Sequence, residues 1–261
     1  MSERRVAVVT GGGRGLGRAV ALRLAQDGVD VVVAARSADE VAGVAEELRA
    51  LGVRADGVSV DVTATEQVER AAARILDDFG RVDILVNNAG SLLYKPFVPL
   101  PGIAADRPGF DSAIADAEWA HVFDVHLGGA IRFLRALGPG MLERGSGRVV
   151  NVVSNVLRRS VPFTVGYDTA KGALAQLTRS LAREWARYGV TVNAVAAGHF
   201  RTRMTSAQFD DEKSYANMIR RVPMRRAGTV EEFAGLVAYL TSAEAGFVTG
   251  EVIAVDGGET L

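Results

Sequence analysis

The chain has 261 residues, with 30 basic and 31 acidic side chains, 48% hydrophobic residues and no cysteine. The near-neutral charge favours neither nucleic acid nor an acidic membrane surface, and the missing thiols exclude disulfides, thiolate metal sites and a cysteine nucleophile. No window approaches the about 18 apolar residues of a membrane span, and no apolar signal segment is visible. We therefore expect a soluble cytoplasmic protein with a sizeable core and no metal site.

Apolar runs and helical patterns alternate along the chain. Predicted strands cover about 5–9, 29–34, 53–60, 82–86, 148–153, 190–195 and 251–255. Predicted helices cover about 18–27, 38–51, 64–79, 118–144, 167–188 and 230–241, with a polar loop and a helix within 200–221. Continuous apolar strands between helices indicate an α/β fold whose parallel sheet is covered on both faces. Because no linker or repeat is visible, we predict that residues 1–261 form a single domain.

Two stretches interrupt this alternation. Residues 91–117 hold four of the seven prolines and lack clear periodicity, which is typical of an insertion or a functional lid. Residues 200–226 hold seven basic and three acidic side chains, a local charge of +4. We interpret residues 200–226 as a substrate lid, and a solvated surface with ordinary ion pairs is the alternative.

A glycine-rich turn follows the first predicted strand. Gly11, Gly15 and Gly17 have the spacing G-x-x-x-G-x-G, with Leu16 between the last two. Strand, glycine turn and helix are the parts of a nucleotide-binding βα unit, in which a pyrophosphate approaches the helix N-terminus. The turn therefore predicts a dinucleotide site.

The end of the second predicted strand indicates which dinucleotide is bound. It reads Ala35-Arg36. In an NAD(H) site, a carboxylate at this position would accept hydrogen bonds from the adenosine ribose. Arg14, in the glycine turn, is a second guanidinium within reach of the same place. Two arginines without a carboxylate suit a 2′-phosphate, so the sequence predicts NADP(H) rather than NAD(H). The alternative is that Arg36 only solvates the strand end.

Ser154, Tyr167 and Lys171 form a candidate catalytic group. Tyr167 and Lys171 have the i, i+4 spacing of one helical face, and Lys171 is one of only three lysines in the chain. A cation ~6 Å from a phenol contributes roughly 2–3 kcal/mol, which predicts a lowered Tyr167 pKa and proton transfer near neutral pH. A chance pair on a solvated helix face is the alternative.

The chain resembles the short-chain dehydrogenase/reductase family from Thr10 to Gly258, which is essentially its whole length. The matching motifs, in order, are T-G-G-G-R-G-L-G at 10–17, Asp61-Val62, N-N-A-G at 87–90, Ser154, Y-D-T-A-K at 167–171, Asn193 and V-D-G-G at 255–258. The resemblance implies a doubly wound Rossmann-type parallel sheet of seven strands and a nicotinamide cofactor. It also implies a homotetramer or dimer built on the two long helices at about 118–144 and 167–188.

The resemblance further implies which residues hold the cofactor. They belong to the glycine turn, the ends of the second and third strands, the N-N-A-G motif, the Tyr167 helix and the loop after position 197. These residues are Gly11, Arg14, Gly15, Leu16, Gly17, Arg36, Asp61, Val62, Asn88, Ala89, Gly90, Tyr167, Lys171, Gly198 and Thr202. Among them, Asp61 would contact the adenine and Thr202 the carboxamide.

The implied reaction is hydride transfer between nicotinamide C4 and a ketone, a β-ketoacyl thioester or a related secondary alcohol. Tyr167 would donate the proton to the substrate oxygen, and Ser154 would orient that oxygen. Lys171 would hold the nicotinamide ribose and lower the Tyr167 pKa. An NADP(H)-binding regulator or scaffold with weak or no turnover is the alternative function.

Two positions depart from the family pattern. His126 replaces the asparagine of a D-V-N-L stretch that is thought to hold the water of a proton relay, and Ala197 replaces the proline before Gly198. An imidazole also donates and accepts, so we predict that His126 serves the relay and adds a group that titrates near ~6.5. A packed helix histidine and a weakened activity are the alternatives. We expect little consequence from Ala197.

Residues 91–117 are also longer than the matching stretch in common family members. They lie between the N-N-A-G motif and the His126 helix, so we interpret them as a wall of the substrate pocket. The apolar side chains available there are Leu92, Leu93, Tyr94, Phe97 and Phe110. We predict that His199 and Phe200 face the substrate from the opposite side. A surface elaboration or a subunit contact is the alternative interpretation of the insertion.

Overall fold

The computed structural model describes residues 4–102 and 109–261, which contain one seven-stranded sheet. Its strands are β1 (Val6–Thr10), β2 (Asp30–Ala35), β3 (Ala55–Ser59), β4 (Ile84–Asn87), β5 (Gly147–Ser154), β6 (Val190–Ala197) and β7 (Val252–Val255). Every pairing is parallel, and the strand order is β3-β2-β1-β4-β5-β6-β7. The prediction of a doubly wound Rossmann-type sheet is confirmed.

Helices flank the sheet on both faces. Those in the described ranges are α1 (Gly15–Gln26), α2 (Ala38–Ala50), α3 (Thr65–Phe79), α4 (Asp116–Phe123), α5 (Gly129–Arg144), α6 (Val165–Trp185), α7 (Ser206–Asp210), α8 (Glu212–Ile219) and α9 (Val230–Thr241). Of these helices, none is both long enough and apolar enough to cross a membrane.

Valine-rich strands are buried on both faces of the sheet. Val9 and Val33 pack in one core with residues of α1, α2 and α9, whereas their neighbours Val8 and Val32 pack in a second core with residues of α3 and α5. Successive side chains of a strand point to opposite faces, so both faces need apolar residues. This requirement explains why the strands are continuous apolar runs rather than alternating ones.

The strand order reverses beside β1, which pairs with β2 on one side and with β4 on the other. Thr10 is in register with Ala34, and Val9 is in register with Val86. The segments that follow these strands therefore emerge at one edge of the sheet. A crevice at such a reversal is where ligands bind in open α/β sheets.

The long helix predicted over 118–144 is divided in two. α4 ends at Phe123, a π-helical segment covers Asp124–Gly128, and α5 begins at Gly129. A Cβ on Gly129 would lie 2.8 Å from Val62, so glycine lets α5 approach the loop after β3 closely. His126 lies within this π-helical segment, whose turn is wider than that of an α-helix. Single π-helical turns are frequent at functional sites.

Residues 200–226 contain more structure than a solvated loop. Phe209 of α7 forms a small buried cluster with Met218 and Ile219 of α8 and with Val222. Three of the basic residues make ion pairs at 2.6 to 3.3 Å, and these pairs are Arg201–Asp210, Arg203–Glu40 and Arg226–Glu232. Asp210 is already counted in the +4 charge, so Glu40 and Glu232, from outside the stretch, balance two of its positive charges.

Candidate active site

The glycine turn between β1 and α1 adopts a backbone that favours glycine. Gly11 and Gly15 have φ values of 63° and 55°, in the left-handed region. A Cβ on Gly17 would stand 2.3 Å from the Gly11 carbonyl oxygen, so turn and helix are in backbone contact there. α1 begins without a side-chain cap and without an acidic residue in its first turn. Its N-terminal amides are therefore available to an anion such as a pyrophosphate.

Asn88 joins the end of β4 to the glycine turn. Its side-chain amide donates to the carbonyl oxygens of Thr10 and Gly11 at 3.0 and 3.1 Å. The backbone N–H groups of Asn88 and Ala89 both donate to Thr10 Oγ1. The N-N-A-G motif thus fixes the position of the glycine turn relative to β4.

A groove of about 340 Å³ runs along this edge of the sheet. Most of the predicted cofactor residues line it, namely Gly11, Arg14, Gly15, Leu16, Arg36, Asp61, Val62, Asn88, Ala89, Gly90, Tyr167, Lys171 and Thr202. Gly17 and Gly198 do not line it, and Gly198 packs on Asp256, whose Cα would lie 2.6 Å from an added Cβ. The groove connects the glycine turn to Tyr167 in one continuous site.

Asp61 is held as an ionised acceptor in this groove. Thr63 donates its backbone N–H and its hydroxyl to Asp61 Oδ1 at 2.9 and 2.8 Å. The backbone hydrogen bond is the largest cause that keeps the Asp61 pKa below its ordinary value, and burial opposes it. An ionised carboxylate accepts hydrogen bonds only, which suits the amino group of an adenine.

The groove also carries three arginines and a carboxylate. Arg14 Nη1 and Arg203 Nη1 lie 2.9 and 3.3 Å from the same Glu40 oxygen, Oε1. Within the described ranges, the Arg36 guanidinium makes no ion pair. The end of β2 supplies no carboxylate, but α2 brings Glu40 to Arg14 and Arg203. Glu40 and Arg203 are 163 positions apart, so no local sequence signal marks their contact.

The three predicted catalytic residues meet at the carboxyl end of β5. Ser154 is the last residue of β5, and its hydroxyl is close enough to Tyr167 of α6 to lower the pKa of the phenol. Lys171, one helical turn further on, is 4% exposed and donates from Nζ to the Val152 carbonyl oxygen at 2.6 Å. Its Nζ lies 5.7 Å from the centroid of the Tyr167 ring. A phenol, a hydroxyl and an amine are thus assembled beside the groove.

The prediction that Lys171 lowers the Tyr167 pKa is wrong. Burial raises the Tyr167 pKa above its ordinary value, and the hydrogen bond from Ser154 offsets only part of this effect. Burial also lowers the pKa of Lys171 to about 7, so its ammonium is only partly charged at neutral pH. The cost of burying the charged forms of Tyr167 and Lys171 therefore outweighs the electrostatic attraction between them that the i, i+4 spacing suggested.

His126 is buried beside Tyr167, with the ring centroids 5.2 Å apart in an edge-on contact. Its Nε2 lies 2.7 Å from the Ser91 carbonyl oxygen and 3.3 Å from the Ser91 backbone nitrogen, and the shorter contact favours the ring proton on Nε2. Nδ1 is then an acceptor that has no hydrogen-bond partner among the described residues. Burial and, second, the Lys171 charge lower the His126 pKa to about 3. The prediction of a group that titrates near ~6.5 is therefore wrong.

Aromatic side chains of residues 91–117 pack on one another and on aromatic residues outside the stretch. Tyr94, Phe110 and Phe163 form an aromatic cluster with centroids 4.8 to 5.5 Å apart, and Phe97 meets Trp119 edge-on at 6.2 Å. The exposed members of the stretch include Leu92, Tyr94 and Phe97. None of these three lines the groove. Positions 103–108 lie outside the described residues, so the interpretation as a pocket wall stays a prediction.

Phe200 and His199 lie outside the groove, and their contact with a substrate stays a prediction. Phe200 is 3% exposed and packs edge-on against Phe233 of α9. Together with the half-buried His199, it lines a separate cavity of about 360 Å³. His199 Nε2 lies 2.9 Å from Glu259 Oε2, a residue to which the sequence reasoning assigned no role.

Comparison with known proteins agrees with this geometry. The family model described as enoyl-(acyl carrier protein) reductase matches residues 11–260. Short-chain reductase protein NovJ of Streptomyces niveus is 37% identical over 263 residues, which cover 99% of this chain and 95% of that protein. The 3-oxoacyl-(acyl-carrier-protein) reductase FabG of Staphylococcus epidermidis is 35% identical over 253 residues, which cover 97% of both chains.

A solved structure shows the same fold. The actinorhodin polyketide ketoreductase, solved with NADPH, superposes with a TM-score of 0.87 and 33% identity, covering 100% of this chain and 98% of its own. These relatives are reductases, which supports oxidoreductase activity with a nicotinamide cofactor. The near-complete coverage confirms the resemblance that the spaced motifs indicated. The chain belongs to the short-chain dehydrogenase/reductase family.

Proposed function

We propose that this protein is an NADPH-dependent carbonyl reductase that interconverts a ketone or β-ketoacyl group and a secondary alcohol. The observation that carries the proposal is the convergence of Ser154, Tyr167 and Lys171 beside the groove that begins at the glycine turn. The reductase names of NovJ, FabG and the polyketide ketoreductase support the same reaction class.

Each residue has a distinct task in this proposal. Bound NADPH would supply hydride chemistry, with its phosphates at the glycine turn and its adenine at Asp61. Tyr167 is protonated at neutral pH, as a phenol with an ordinary or raised pKa is, so it is the acid that protonates a substrate oxygen in this proposal. Ser154 orients the same oxygen and stabilises the charge that develops on it. Lys171 donates hydrogen bonds to the ribose hydroxyls of the cofactor.

His126 takes the place of the relay asparagine. With the proton on Nε2, Nδ1 presents a lone pair that is buried and has no partner among the described residues. This lone pair can accept a hydrogen bond of the relay, as an asparagine carbonyl would. With a pKa of about 3, His126 would orient the relay without carrying a charge.

The preference for NADPH is proposed from the guanidinium groups of Arg14, Arg36 and Arg203. Arg14 and Arg203 already share one carboxylate oxygen, so a 2′-phosphate would compete with Glu40 for them. Arg36 makes no ion pair among the described residues and is therefore the main donor in this proposal. A charge-assisted hydrogen bond of roughly 1.5–3 kcal/mol corresponds to about ten- to a hundredfold in affinity.

The proposal is tested by measuring kcat/KM for NADPH and NADH against a panel of β-ketoesters, β-ketoacyl thioesters and cyclic ketones. We expect turnover of at least one of these carbonyl compounds, with NADPH preferred by about tenfold or more. Arg36→Asp should invert that preference. Equal use of both cofactors would reject the preference for NADPH but not the reductase activity. Tight NADPH binding without turnover of any compound would favour a cofactor-binding regulator or scaffold.

A further inference from the structure

Glu259 is a buried carboxylate at the carboxyl edge of β5, β6 and β7. Its side chain is 5% exposed. Asn155 Nδ2 donates to Glu259 Oε2 at 2.8 Å, and His199 Nε2 lies 2.9 Å from the same oxygen. Arg159 Nη1 lies 3.3 Å from the other oxygen, Oε1. A carboxylate this buried is costly unless several donors satisfy it, and here three residues do so.

The turn that carries Glu259 is fixed by its own hydrogen bonds and backbone conformation. Asp256 Oδ1 accepts from the backbone N–H of Gly258, and Asp256 Oδ2 accepts from the N–H and hydroxyl of Thr260. Gly257 and Gly258 have φ values of 64° and 87°, which other residues rarely adopt. The position of Glu259 is therefore fixed by its own turn as well as by its partners.

Glu259 determines the orientation of the Asn155 amide. A carboxylate only accepts hydrogen bonds, so the NH₂ group of Asn155 must face it. The amide oxygen, Oδ1, then faces Ser154, whose hydroxyl donates to it at 3.4 Å. Ser154 is also close enough to Tyr167 to influence the pKa of its phenol. A continuous line of contacts runs from Glu259 through Asn155 and Ser154 to Tyr167.

We propose that Glu259 is a positioning residue that acts through Asn155 on the Ser154 hydroxyl. The proposal rests on the carbonyl reductase function, in which Ser154 contacts the substrate oxygen. The 3.4 Å contact is long, so the Ser154 hydroxyl can exchange it for a substrate oxygen while Asn155 stays in place. By joining the segments after β5, β6 and β7, Glu259 keeps Ser154 in the geometry that the reaction needs.

The first test measures turnover by the full chain with NADPH and the best ketone of the panel. Glu259→Gln should lower kcat about tenfold and leave the KM for NADPH within about twofold, because one positioning hydrogen bond is weakened. In an Asn155→Ala background, the same Glu259→Gln change should leave kcat unaltered. Arg159→Gln is the matched control and should keep the wild-type kcat, because glutamine can still donate a hydrogen bond to Oε1 and the Asn155 contact is made by the other oxygen, Oε2.

An unchanged kcat in Glu259→Gln would overturn the proposal. So would a Glu259→Gln change that lowers kcat equally in the wild-type and Asn155→Ala backgrounds. A second readout needs no turnover, so it separates this proposal from the proposed function. The ¹H–¹⁵N signals of the Asn155 side-chain amide, assigned with Asn155→Ala, should shift in Glu259→Gln and stay in place in Arg159→Gln. Signals that do not move in Glu259→Gln would show that the carboxylate does not hold Asn155.

Discussion

His126 and Lys171 flank Tyr167, and burial governs the ionisation of all three side chains. It raises the pKa of the phenol, lowers that of the amine to about 7 and lowers that of the imidazole to about 3. The common cause is that a buried site disfavours whichever form is charged. At neutral pH the site therefore contains a protonated tyrosine and a neutral histidine, with Lys171 close to its midpoint. The spacing of the residues could be read from the sequence, whereas their burial could not.

The neutral His126 makes the stability of the protein depend on pH. Unfolded histidine binds a proton near pH 6.5, whereas folded His126 does so near 3, so the unfolded state binds more protons in between. This contribution is fully present above pH 6.5 and is lost as the pH falls towards 3. We expect a loss of about 2 kcal/mol in the free energy of unfolding at pH 5 relative to pH 8.

Urea unfolding of the wild type and of His126→Asn at pH 8, 6 and 5 measures this loss. The asparagine variant lacks the titrating group. Its free energy of unfolding, compared with that of the wild type, should therefore increase progressively as the pH falls. A stability difference that stays constant from pH 8 to pH 5 would mean that His126 titrates in the folded protein as it does in the unfolded chain.

At the scale of single elements, the main feature that the sequence did not predict is the π-helical segment between α4 and α5. The apolar pattern continues through residues 124–128, so periodicity alone indicates a single helix over 118–144. The interruption coincides with Gly128 and Gly129, where added Cβ atoms would lie 2.3 Å from Asp124 Oδ1 and 2.8 Å from Val62. Close packing onto the loop after β3, rather than local propensity, accounts for the glycine at position 129.

Gly129→Ala tests whether this packing matters. Alanine gains up to ~1 kcal/mol of helix propensity, but the steric overlap with Val62 costs typically ~1–3 kcal/mol. We therefore expect a net loss in the free energy of unfolding, measured by urea denaturation. Gly43→Ala in α2 is the control, because nothing lies within 4 Å of its added Cβ, and it should stabilise the protein. Equal stabilisation by both changes would contradict the close contact at Gly129.

At the scale of the whole molecule, alternating apolar strands and helices were enough to predict a parallel sheet covered on both faces. Contacts between distant segments were not predictable, because periodicity reports burial along one element only. Glu259 reaches Asn155 across 104 positions, and Glu40 reaches Arg203 across 163. The packing of Phe200 against Phe233 was missed for the same reason, since Phe233 lies on a distant helix. The oligomer implied by the family resemblance stays a prediction.

The most direct test of the proposed reductase activity compares the wild type with Tyr167→Phe at pH 7, following NADPH oxidation at saturating ketone. The substitution removes the proton donor and keeps the ring, so NADPH binding should persist while kcat falls by roughly 10²–10⁴-fold. Wild-type oxidation should also require the ketone. Equal rates of ketone-dependent NADPH oxidation by the two proteins would show that Tyr167 is not the acid and would contradict the proposed mechanism.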